Sequence, residues 1–169
     1  IIVNEGHSSI VLAGHSTGGL TTTLYASHYP ENKNIKALWV NSPFYDFNMS
    51  TLKKKIVLPH ISKLGKKFPN LKFPSDLNPW YVHSLHQEFK GEWDFNLNWK
   101  PTKYPKVYLS FVHAIHEAHK ELHAGPKLNI PVLVMRSAKT KNPTRFNRDV
   151  QNSDVILDVN DMRKYAKRK

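Results

Sequence analysis

The chain of 169 residues has no cysteine at all, only 7 glycines, and 13 acidic side chains set against 25 lysines and arginines. The missing cysteine excludes a disulfide framework and any zinc site built on thiolates. Long hydrophobic runs are missing too. Stretches such as Ile10–Ala13 and Val132–Met135 fall far below the roughly 20 apolar residues a membrane-spanning helix needs. Neither an internal repeat nor a low-complexity tract is present. What remains is 40% hydrophobic and 22% charged, a composition that excludes a disordered tail. A chain of this length buries about 70% of its unfolded surface, so a core forms without covalent staples. The first residue is Ile1 and not Met. The expected location is the cytoplasm, with any targeting signal lying before Ile1.

The shortage of acid leaves a net charge of +12, and its placement matters more than its size. Residues 1–50 and 76–126 each sum to −1, whereas 51–75 and 127–169 each carry +7. The first basic stretch is all lysine, with the runs Lys53–Lys55 and Lys66-Lys67. Nucleic-acid readers usually add arginine forks or stacking aromatics to such a field. The lysine runs therefore read as solvated faces of short amphipathic segments, in preference to a nucleic-acid or anionic-membrane patch.

Along the chain, Ile1 to Gly6 reads as the last turn of a helix closed by glycine. Ser9–Ala13 is a continuous apolar run between turn residues, the pattern of a strand buried on both faces. Helical spacing follows from Leu20 to Tyr29 and stops at Pro30. Ala37–Val40 predicts a second buried strand, and Val132–Met135, opened by Pro131, a third. Asp158, with Asp161 three residues on, caps a final helix. This alternation predicts a parallel α/β sheet. It is interrupted from about Phe44 to Gly125 by a segment rich in Lys, Asn, Pro and aromatics, with short helical pieces and no clear strands.

The sharpest feature is Gly14-His15-Ser16-Thr17-Gly18, a G-x-S-x-G motif with a strand running in and a helix running out. A nucleophilic serine projects best from a tight turn whose backbone leaves no room for side chains two positions to either side, which Gly14 and Gly18 satisfy. The Thr17 N–H, at the helix N-terminus, is placed to donate to a developing oxyanion. A plain glycine-rich turn cradling phosphate is the competing reading. No P-loop lysine and no G-x-G-x-x-G accompanies the glycines.

With these residues the sequence resembles the α/β-hydrolase superfamily, in the capped branch of lysophospholipases, monoglyceride lipases and serine aminopeptidase-like hydrolases. Ile10–Gly19, the strand ending Asn41-Ser42-Pro43, the strand Pro131–Arg136 and Asp154–Asp158 carry the resemblance, in that order. It implies an incomplete α/β-hydrolase fold: a three-stranded parallel sheet core with an inserted helical cap. Residues 1–43 would be core with the nucleophile elbow, 44–125 the cap, and 126–169 core with the acid loop. Ser16 takes the place of the nucleophile and Asp154 that of the acid, within the pattern D-x-[IV]-[VL]-[DP]. Asp46 is the second candidate acid. The histidine base is expected beyond Lys169, and further strands and the second oxyanion donor before the elbow strand.

Four histidines on a helix expected from about Pro105 to His123 invite another reading. His113, His116, His119 and His123 fall within an arc of about 120°, flanking an apolar stripe of Phe111, Ile115, Ala118 and Leu122. They could form a metal site or a substitute base, but matching carboxylates on that face are missing. The preferred reading is an amphipathic cap helix with histidines at its boundary. Trp80-Tyr81, Trp93, Phe95 and Trp99 would either wall a substrate pocket or build the cap's own core.

The resemblance implies a serine hydrolase cleaving carboxylic esters, lysophospholipid-like or monoacylglycerol-like, through an acyl-enzyme. Residues 1–169 alone are expected to be inactive. No metal or organic cofactor is needed. The partner is a small-molecule or lipid ester, with no nucleic acid and no membrane span. Aminopeptidase-like amide hydrolysis and a non-enzymatic basic binding module are the alternatives.

Overall fold

In the computed structural model, residues 2–75 and 77–167 are described. A short 3-10 turn (Ile2–Glu5) ends at Gly6, whose φ of 88° needs glycine. Strand β1 (Ile10–His15) leads into helix α1 (Thr17–His28), and the chain returns through β2 (Ile35–Asn41). After an inserted stretch come helix α2 (Leu58–Lys67), the two-residue strand β3 (Lys72–Phe73), helix α3 (Trp80–His83) and strand β4 (Val107–Tyr108). Helix α4 (Leu109–His123), strand β5 (Val132–Met135), and helices α5 (Arg148–Gln151) and α6 (Val159–Ala166) complete the order.

The main sheet has the order β1-β2-β5 and is parallel throughout. Leu12 faces Leu38 and Leu38 faces Val132, while Ala13, Trp39 and Leu133 form the next row on the opposite side. Leu38 and Val40 are fully buried, and helix α1 adds Leu20, Thr23 and Ala26 to the core. Two-sided burial of these strands is not what the structure has. Val11, Trp39, Leu133 and Met135 remain exposed, because α1 covers one side of the sheet only. The run of apolar residues is the pattern of a strand packed on both faces, and the described residues supply packing to one.

The chain divides into two compact units. One holds the described residues up to Phe47, Glu117–Arg136 and those from Val159 on, and the other Asn48–His116 with Ser137–Asp158. In the first, Tyr45 is buried and its hydroxyl is hydrogen-bonded to Thr23 Oγ1 at 2.8 Å, and Thr23 Oγ1 lies 2.7 Å from the Gly19 carbonyl oxygen. Burial pushes the Tyr45 phenol above its ordinary range, with the Thr23 bond opposing it. His119 Nε2 donates to Phe44 O and His123 Nε2 to Tyr45 O, both at 2.7 Å. The His123 ring also stacks on Tyr165 of α6, with centroids 3.6 Å apart.

In the second unit, α2 turns Leu58, Ser62 and Gly65 inward. A Cβ on Gly65 would stand 2.2 Å from the Leu109 carbonyl oxygen, and Ser62 Oγ is 2.9 Å from His113 Nδ1. Such close approach leaves no room for a larger side chain at Gly65. The expectation of no strands in the inserted segment is corrected here, since β3 and β4 pair antiparallel. That pairing takes up Val107 and Tyr108, so α4 begins at Leu109 and not near Pro105. The buried stripe of α4 is also shifted: Leu109, Val112, Ile115, His119 and Leu122 are buried, while Phe111 is exposed. His119 therefore belongs to the stripe and does not flank it. Its Nε2 is admitted to the core by the bond to Phe44 O.

Candidate active site

Ser16 sits between β1 and α1 with φ 54° and ψ −121°, a conformation that costs a non-glycine residue about 1–3 kcal/mol. Several backbone bonds hold it there. Ser16 N–H donates to Asn41 O at 3.1 Å, and its carbonyl accepts from Gly19, Leu20 and Phe44 at 3.0, 3.3 and 2.9 Å. The turn is thereby fastened both to the first residues of α1 and to the chain leaving β2. Thr17 is the first residue of α1, a position whose N–H has no partner within the helix. Gly14, Ser16, Thr17 and Gly18 are thus brought onto one turn.

The two glycines of the motif differ. A Cβ on Gly14 would lie 2.4 Å from the Gly18 carbonyl oxygen and 2.6 Å from Thr22 Oγ1. A Cβ on Gly18 would meet nothing within 4 Å. The crowding expected at Gly18 falls on the next residue, since a Cβ on Gly19 would be 2.8 Å from Pro43 Cβ. The doubled glycine was the available signal, but which of the pair carries the contact depends on where Pro43 comes to lie. Ser42 is a second residue that sequence reading passed over. Its φ is 41°, and its N–H donates to Met135 O at 2.8 Å, tying the end of β2 to β5. Nothing in the residue type announces this. His15 is exposed on β1 and its Nδ1 accepts from the Asn41 amide at 3.3 Å.

Asp154 lies in the second unit and is half-buried. Its Oδ1 accepts from the N–H groups of Ile156 and Leu157 at 3.0 and 2.7 Å. Its backbone pairs with residues 139–141: Asp154 N–H donates to Lys139 O, and Lys141 N–H to Asp154 O, both at 3.0 Å. The turn is also held from outside, by Asn48 Nδ2 on Ile156 O at 3.2 Å and Thr140 Oγ1 on Leu157 O at 2.9 Å. Beside it, in the same unit, is a cavity of about 410 Å³. Leu77, Trp80, Val155 and Ile156 give it apolar wall, and Asn78 and Asn142 polar wall. Of the cap aromatics, Trp80 lines this space, whereas Trp93 and Trp99 are exposed.

His113, His119 and His123 of α4 are each engaged within one unit. His113 meets Ser62, while His119 and His123 hold the carbonyls of residues 44 and 45. Burial lowers the His123 pKa below 6.5, with the Tyr45 carbonyl, Asp46 and Asp161 opposing and Lys164 adding to the shift. Asp46 is buried and its Oδ1 accepts from Phe47 N–H at 2.8 Å. Among the described residues, no group of three or more His, Asp or Glu side chains could hold a metal ion.

A parallel sheet, a strained serine between strand and helix, and a helical insertion define an α/β hydrolase. More narrowly, residues 1–141 match the family described as serine aminopeptidase, S33, and the chain belongs to that family. Among solved structures it is similar to the monoacylglycerol lipase of Paleococcus ferrophilus, with a TM-score of 0.68 and 17% identity over 99% of this chain and 56% of that one. It is also similar to a soluble variant of monoglyceride lipase from Saccharomyces cerevisiae in complex with a substrate analogue. There the TM-score is 0.62 with 15% identity, covering 99% of this chain and 53% of the other. The chain thus spans about half the length of these solved proteins. No curated protein matches it. Among the described residues, no helix is long and apolar enough to cross a membrane.

Proposed function

We propose that the protein cleaves carboxylic esters with Ser16 as nucleophile. The observation that carries this reading is the backbone of Ser16, held at φ 54° by bonds to Asn41, Gly19, Leu20 and Phe44. Strain kept in place by so many partners is characteristic of a site residue. In this reading Ser16 Oγ attacks the ester carbonyl carbon while a histidine outside residues 1–169 takes its proton. The Thr17 N–H donates to the oxyanion, and the histidine returns the proton to the departing alcohol. Water then attacks the acyl-enzyme and the acid is released.

Asp154 orients that histidine. Its Oδ1 is committed to the turn at Ile156 and Leu157, and Oδ2 is the oxygen assigned to the imidazole. Residues 44–125 serve as the cap in this reading. A monoacylglycerol-like or lysophospholipid-like ester fits this reading, and the lipase neighbours support it. The family's description supports a second, an N-terminal peptide amide.

Steady-state hydrolysis of a monoacylglycerol, a lysophospholipid and an aminoacyl anilide by the full-length protein separates the two. Ester turnover is expected to dominate, and Ser16→Ala to lower kcat by about 10⁴-fold or more. Preferential cleavage of the anilide would favour the peptidase reading. Ester turnover surviving in Ser16→Ala would remove the nucleophile assignment.

A further inference from the structure

The inward face of α2 holds Leu58 and two small residues, Ser62 and Gly65, while Leu64 on the helix and Phe68 just beyond it are exposed. The preceding π turn, Lys53–Val57, has no buried residue, and Leu52, Ile56 and Val57 stand in solvent there. Leu71 continues the exposed apolar set beyond the helix. A surface segment ordinarily presents polar side chains to solvent, not a run of large apolar ones. The same stretch, residues 51–75, has seven lysines and no acid. Lys67 Nζ lies 5.3 Å from the Phe68 ring centroid and Lys72 Nζ 4.3 Å from that of Tyr108. Cation and apolar surface are thus interleaved.

We infer that residues 51–72 form a docking surface for an anionic lipid bilayer. Exposed leucine, isoleucine and phenylalanine side chains gain by entering the acyl boundary, and lysines among them meet lipid phosphates and carboxylates. Charge complementarity selects this occupant. A neutral protein partner would leave the lysines without a use, and a nucleic acid would leave Leu52, Ile56 and Phe68 without one. From sequence the lysines read as a solvated face in preference to an anionic-membrane patch; the exposed Leu52, Ile56 and Phe68 beside them favour the patch.

The test is sedimentation of the purified full-length protein with vesicles of phosphatidylcholine, alone or with one third phosphatidylserine. It requires no catalysis, so it stands apart from the hydrolase assignment. Binding is expected to the anionic vesicles and to weaken as salt is raised. Replacing Lys53, Lys55, Lys66 and Lys67 by glutamine should reduce partition by at least about a hundredfold, at roughly fivefold per lysine. The variant Leu52→Ser, Ile56→Ser, Phe68→Ser should lose at least about tenfold at physiological salt. All these positions are exposed, so circular dichroism and thermal midpoint should not change. Equal partition into neutral and anionic vesicles, binding to neither, or wild-type binding by either variant would overturn the inference. So would preferential capture of single-stranded RNA that displaces the vesicles.

Discussion

Gly14 and Gly18 hold symmetrical places around Ser16 in the motif, yet their surroundings differ. Gly14→Ala puts a Cβ 2.4 Å from a backbone oxygen that the helix fixes, so it should destabilise by about 1–3 kcal/mol. Gly18→Ala adds a methyl in open space on α1, and should be neutral or stabilising by up to about 1 kcal/mol. Thermal unfolding of the two variants checks the contrast, and equal destabilisation would contradict it. Ser16 itself was legible from its pentapeptide, because the chemistry demands that spacing. Gly19 and Ser42 were not. Their constraints come from Pro43 and from the Met135 carbonyl, distant partners that no local pattern encodes.

Among the elements, β5 falls where its apolar run predicts, and β1, α1 and β2 differ from expectation by a few residues at their ends. Their type was legible because periodicity and bounding turn residues agree. The inserted segment was not, since two-residue strands such as β3 and β4 carry no periodic signal. Helix α4 shows a similar limit: a histidine on its buried stripe is accommodated by Phe44 O, a partner distant in sequence. His123, four residues on, makes a pH prediction. Its pKa in the folded protein is below 6.5, so the unfolded chain takes up the proton first as pH falls. Stability should therefore be full above pH 6.5 and decline as pH drops through that value. In His123→Gln this part of the decline should be absent, since a glutamine amide can still donate to Tyr45 O but does not titrate. Chemical denaturation between neutral and mildly acidic pH measures it, and an unchanged slope in the variant would contradict it.

For the whole molecule, the parallel sheet is packed on one side and leaves Val11, Trp39, Leu133 and Met135 exposed on the other. A parallel sheet is ordinarily covered on both faces, and patches of this kind bind partners or aggregate. Residues 1–169 produced alone should bind a hydrophobic dye and self-associate. The pair Val11→Lys and Leu133→Lys should reduce both while leaving far-UV circular dichroism unchanged. Dye binding unaffected by the pair would show that the signal arises elsewhere. The charge follows the same division. Residues 1–50, which carry Ser16, sum to −1, whereas the lysines of residues 51–75 accompany exposed apolar side chains between Leu52 and Leu71.

The central claim is that Ser16 is the nucleophile of an acyl-transfer site. Incubating the full-length protein with an alkyl fluorophosphonate and mapping the adduct by peptide mass spectrometry tests it most directly. The account predicts one phosphonyl group per chain, on Ser16, with none on the Ser16→Ala variant. An adduct on another residue, or none on wild-type protein that hydrolyses esters, would contradict it.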